Sequence, residues 1–79
     1  MKVPRDVNAS ELIKLLIKCG YSVIRQTGSH IRLSKTVEEY EHSITIPNHK
    51  PLKIGIFQAI AKDVCTVNNM DLAEFYLQF

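Results

Sequence analysis

Long apolar runs, cysteines and strong net charge are all scarce in this sequence. No stretch approaches the ~20 consecutive apolar residues of a membrane-crossing helix, and the first residues, Met1-Lys2-Val3-Pro4-Arg5-Asp6, lack the apolar centre of a secretory signal. The reading is a cytoplasmic chain with no membrane span. Only two cysteines are present, Cys19 and Cys65, far apart and each inside an apolar helical pattern. They read as small buried hydrophobes rather than as a disulfide. The formal charge of +2 and the isoelectric point near 8.6 tolerate a nucleic-acid partner without announcing one. No repeat, long linker or low-complexity stretch interrupts the chain.

What is present suits one ordinary domain over residues 1–79. Apolar residues make up 46% and charged residues 23% of the 79, which argues against bulk disorder. A chain of this size buries roughly 60% of its unfolded surface, enough for a small autonomous core.

Asn8-Ala9-Ser10-Glu11 has the pattern of a capping box, and Leu12, Leu15, Leu16 and Cys19 recur at helical spacing behind it. Gly20 closes that helix, predicted over residues 9–19. Tyr21 to Thr27 is rich in β-branched and aromatic residues, Gly28-Ser29 reads as a turn, and Ile31 to Ser34 alternates apolar with polar, so a hairpin is expected. Residues 35–41, with Glu38, Glu39 and Glu41, read as a polar connecting loop. His42 to Pro47 alternates again, giving a third strand that ends at Pro47. Ile54, Phe57, Ile60, Ala61 and Val64 are spaced for a helix over residues 54–63. Asn68 or Asn69 is expected to cap a last helix carrying Leu72, Phe75, Tyr76 and Phe79. The prediction is an α+β fold: α-β-β-β-α plus a C-terminal helix, with a three-stranded antiparallel sheet packed on helices and its other face open.

The feature that points furthest toward chemistry is Gly28-Ser29-His30. Histidine moves protons near neutral pH, and glycine beside it lets a phosphate or ribose approach the backbone closely. If Ile31 and Leu33 face the core, period two sends His30, Arg32 and Ser34 to the other side. In the first strand Val23 and Ile24 are both apolar, so either Arg25 or Gln26 joins that face. Arg32 is a candidate phosphate ligand because guanidinium can grip phosphate with two parallel hydrogen bonds, and the competing reading is a solvated surface arginine. Gly28 and Ser29 offer backbone N–H groups to phosphate, or form a plain turn. Lys50 and Lys53, in a polar loop with His49, add positive charge for salt-dependent phosphate binding. His42 and His49 do not match a metal-ligand spacing with the cysteines, and neither a metal nor another cofactor is called for.

In this order of elements the chain resembles the HicA family of toxins from toxin–antitoxin pairs. The resemblance lies in Glu11-Leu12-Ile13-Lys14-Leu15-Leu16 with Cys19-Gly20-Tyr21, in Arg25-Gln26-Thr27-Gly28-Ser29-His30, and in Ser43-Ile44-Thr45-Ile46-Pro47-Asn48-His49. The segment from Gly55 to Lys62 is similar to the family's second helix. Ile56 stands where the family usually has threonine, and residues 66–79 add a helix that many members lack. The resemblance implies a fold like the double-stranded-RNA-binding domain and metal-independent endoribonuclease activity on mRNA, with His30 at the catalytic position. It also implies a HicB-like antitoxin as partner. The alternative is a non-catalytic RNA-binding module of the same shape, which would rely on its lysines and have no need of the imidazole.

Overall fold

The amphipathic run behind Asn8 and the alternating runs that follow it resolve, in a computed structural model describing residues 2–79, into six elements. These are α1 (Ala9–Lys18), β1 (Ser22–Thr27), β2 (His30–Val37), β3 (Tyr40–Pro47), α2 (Ile54–Asn68) and α3 (Leu72–Tyr76). The strands form one antiparallel sheet in the order β1-β2-β3. This is the expected α-β-β-β-α-α order and an α+β fold.

Apolar burial gathers on one side of the sheet. Ile31 and Leu33 of β2 and Ile44 and Ile46 of β3 are buried with Leu12 and Leu16 of α1 and Phe57, Ile60, Ala61 and Val64 of α2. Transfer of such side chains from water contributes roughly 1.5–3 kcal/mol each, so the helical layer and this sheet face hold each other in place. The opposite face carries no covering element, and His30, Arg32, Thr45 and all of β1 are exposed there or at its edge.

Three boundaries differ from the sequence reading. Residues 35–41 are not a loop: β2 and β3 continue through Lys35↔His42, Thr36↔Glu41 and Val37↔Tyr40, leaving only Glu38-Glu39 as a two-residue turn. Apart from Lys35, the polar side chains there sit on the solvated face or at the tip, where backbone pairing extends a ladder without demanding burial. Helix α2 runs past residue 63 to Asn68, because Val64 and Cys65 continue its buried stripe. Asn69, in the left-handed conformation at φ 54°, ends it. The cap of α3 is therefore neither Asn68 nor Asn69 but Asp71, whose carboxylate accepts from the Glu74 N–H at 3.1 Å. Asn8 does occupy the N-cap position of α1, yet its side chain makes no capping bond. Its backbone carbonyl accepts from the N–H groups of Glu11 and Leu12.

The C-terminal segment joins the core. Phe75 and Tyr76 are buried, and Phe57 stacks edge-on against Phe79 at 5.1 Å between centroids and lies 5.8 Å from Tyr76. Phe75 contacts Phe79 at 5.7 Å. Leu77 alone among these apolar residues points away, at 81% exposure. Both cysteines are free: Cys65 is buried and Cys19 half-buried. Burial pushes the Cys65 thiol above its usual pKa and keeps it protonated. Truncating Phe75 to alanine is expected to lower stability by about 3–5 kcal/mol, read as a fall in the urea midpoint. A loss below 1 kcal/mol would mean that residues 72–79 only rest on the domain.

Candidate nucleic-acid interface

The open face is built by register. Thr27↔His30, Arg25↔Arg32 and Ser22↔Ser34 are directly opposed across β1 and β2, and His30↔Pro47, Arg32↔Thr45 and Ser34↔Ser43 across β2 and β3. Residues opposed in an antiparallel ladder share a face, so Arg32 stands between Arg25 and Thr45, and His30 between Thr27 and Pro47. Successive residues on one face lie about 7 Å apart along a strand, which puts the Arg32 guanidinium within reach of anything held at His30. Arg32 Nη1 donates to Thr45 Oγ1 at 3.2 Å, a contact that steadies a long flexible side chain. The His30 ring is exposed and enters none of the side-chain hydrogen bonds among the described residues.

The hairpin turn beside it follows from glycine. Gly28 adopts φ 55°, the left-handed region that a two-residue hairpin needs at its first central position and that other residues enter at a cost of about 1 kcal/mol or more. A Cβ added there would meet nothing within 4 Å, so the glycine serves backbone conformation and leaves open space. Ser29 is tied into the sheet end by its carbonyl, which accepts from the Asn48 N–H at 2.7 Å. That bond brings the start of the 48–50 segment, with His49 and Lys50, to the His30 end of the sheet. Lys53 is placed differently: it precedes α2, in the layer that covers the opposite face. The negative charge of Glu38, Glu39 and Glu41 lies at the far end of the β2–β3 hairpin.

A second polar group, not anticipated from the sequence, lies on the core side. Lys35 Nζ donates to the Cys19 carbonyl and to Asn68 Oδ1, both at 2.6 Å. Asn68 Nδ2 donates to the Val64 carbonyl at 2.9 Å and to the Tyr21 hydroxyl at 3.0 Å. The Tyr21 hydroxyl in turn lies 2.6 Å from His42 Nδ1, and His42 Nε2 lies 3.1 Å from Asp63 Oδ2. Burial raises the Tyr21 pKa against the lowering pull of the Asn68 hydrogen bond, so the phenol keeps its proton and donates it to Nδ1. Nε2–H is then left to donate to Asp63. This clasp joins β2, β3 and Tyr21, the residue before β1, to α2 and the end of α1, and it accounts for His42 without a metal. Period two held the signal, because Lys35 and His42 fall opposite each other on the side of Leu33 and Ile44. Among the described residues no three His, Cys, Asp or Glu side chains cluster as metal ligands do.

A helix-backed antiparallel sheet whose free face carries an exposed histidine, arginines and hydroxyls defines a small domain suited to a polyanionic chain. The family comparison narrows that class: the model described as HicA toxin of bacterial toxin-antitoxin matches residues 9–64, and the protein belongs to the HicA toxin family. It is thus the toxin member of a toxin–antitoxin pair and has an antitoxin as partner. Comparison with curated proteins and with solved structures gives no match. Among the described residues, no helix is long and apolar enough to cross a membrane.

Tyr21→Phe is expected to cost about 1–2 kcal/mol, because His42 Nδ1 loses its donor and the Asn68 amide an acceptor. Thermal unfolding checks the loss, while the amide resonances of residues 30–34 should keep their positions. An unchanged melting temperature would show that the clasp adds nothing to stability.

Proposed function

We propose that this toxin is a metal-independent endoribonuclease that cleaves mRNA in the cytoplasm with His30 as its proton-transfer group. The observation that carries the reading is the register of β2, which turns His30 and Arg32 to the open face beside the Gly28-Ser29 turn, within the segment that the family model covers.

The chemistry follows from what one imidazole can do. Its free nitrogen accepts the proton of a ribose 2'-hydroxyl as that oxygen attacks the adjacent phosphorus. The bond from phosphorus to the 5'-oxygen breaks, a 2',3'-cyclic phosphate forms, and the departing 5'-oxygen takes a proton back from the imidazolium. Because the nucleophile belongs to the substrate, alignment supplies part of the acceleration and no metal-bound water is needed. Arg32 neutralises the charge that grows on the phosphate, with backbone N–H groups of Gly28 and Ser29 available to the same oxygens. Lys50, at the same end of the sheet, extends the positive surface along the strand, and Lys53 adds charge beyond it. The HicB-like antitoxin disarms the toxin by covering this face.

His30→Ala is expected to reduce RNA cleavage by at least ~10²-fold and to abolish growth inhibition, with an unchanged melting curve because an exposed residue contributes little to stability. Cleavage is measured on single-stranded RNA in EDTA. Full activity of the purified variant would reject the assignment, and binding without cleavage by the unaltered protein would favour the RNA-binding module instead. In the complex with antitoxin, amides of residues 28–34 should gain hydrogen-exchange protection. Protection confined to α2 and α3 would reject occlusion.

A further inference from the structure

Arg25 reaches the open face only because β1 carries one extra residue. Val23 pairs with Leu33 but Arg25, not Ile24, pairs with Arg32, so the register shifts by one at Ile24. In an unbroken ladder Ile24 would oppose Arg32, and Gln26 would stand beside His30 with Arg25 turned to the helical side. The shift reverses those places. It sets Arg25 directly across from Arg32 and diagonal to His30, with Cβ separations of about 5 Å and about 7–8 Å for such positions.

Two like charges directly opposed on a sheet destabilise it, and among the described residues neither is paired with a carboxylate. The acid of this face, Glu41, pairs with Thr36 at the other end of β2 and accepts from the Ser43 hydroxyl at 3.1 Å. From the Thr45 position that is four residues along β3, about 13 Å. Arg32 is steadied from the β3 side by Thr45, and Arg25 approaches from the β1 side. Two guanidinium forks on directly opposed positions of one face suit a tetrahedral dianion or diester, whose oxygens can accept from both.

We infer that Arg25 and Arg32 form a two-arginine clamp for one backbone phosphate of RNA, and that the extra residue in β1 is what completes it. The clamp rests on the ribonuclease reading for the identity of its ligand, since the gripped phosphate lies next to His30. Arg25 acts there as a binding and positioning residue, holding the chain so that a neighbouring ribose faces the imidazole.

The test uses a 2'-O-methyl RNA oligonucleotide, which cannot supply the attacking hydroxyl, and measures its affinity for the full chain by fluorescence anisotropy over a range of salt. Arg25→Gln is expected to weaken binding about tenfold and to make the salt dependence shallower by about one unit of slope. The exchange variant Arg25→Gln with Gln26→Arg keeps the net charge but returns the guanidinium to the other face, and should show the same loss. Binding by the exchange variant equal to that of the unaltered protein would overturn the clamp, whether or not the protein cleaves RNA. If Arg25-dependent binding persists while unmodified RNA stays whole in EDTA, the clamp stands and the ribonuclease reading falls. Circular dichroism and melting of each variant keep a folding defect from passing as lost binding.

Discussion

The burial of Ile31, Leu33, Ile44 and Ile46 against the helices is the constraint from which the rest follows. Side chains alternate along the unbroken β2–β3 ladder, so committing these four to the core also commits His30, Arg32 and Thr45 to water. A slip of one residue would invert both sets at once, exposing the apolar side chains and burying the Arg32 guanidinium. The site is thus positioned by residues that take no part in it. Its geometry is as rigid as the packing behind it, which suits the ribonuclease chemistry proposed above.

Much of this was legible because the signals were periodic. The helical stripe from Leu12 to Cys19, the alternation around Leu33 and the stripe from Phe57 to Val64 each specify one element and one buried face. What escaped the sequence was decided between strands rather than within them. Residues 35–41 looked like a loop because their side chains are polar, whereas pairing with the neighbouring strand is a backbone property. The choice between Arg25 and Gln26 turned on a register shift that no run of side chains announces. The cap of α3 moved to Asp71 because α2 consumed Asn68, itself drawn into the clasp with Tyr21 and Lys35.

That clasp shows how a small domain joins its sheet to its helices where apolar contact runs out. Toward the hairpin tip the inner sheet face passes from Leu33 and Ile44 to Lys35 and His42. A half-buried ammonium or imidazole is held stably only when its hydrogen-bonding groups are met, and here every partner of Lys35 and His42 is supplied by another part of the fold. No buried side-chain nitrogen or oxygen among the described residues is left without one. The two polar systems of the molecule therefore lie on opposite sides of one sheet, one binding its elements together and the other facing solvent.

The extra residue in β1 also bears on how the toxin behaves in a crowded cell. β1 is an outer strand, with Val23 and Ile24 about half exposed, and a regular outer strand of that composition is a template for another chain's backbone. A bulge breaks the even spacing of the outward N–H and C=O groups and twists the strand locally. An incoming strand can match the ladder for only two or three residues before it falls out of step. Copies of the toxin set free from their antitoxin thus meet, on the β1 side of the sheet, an edge that does not propagate a regular ladder.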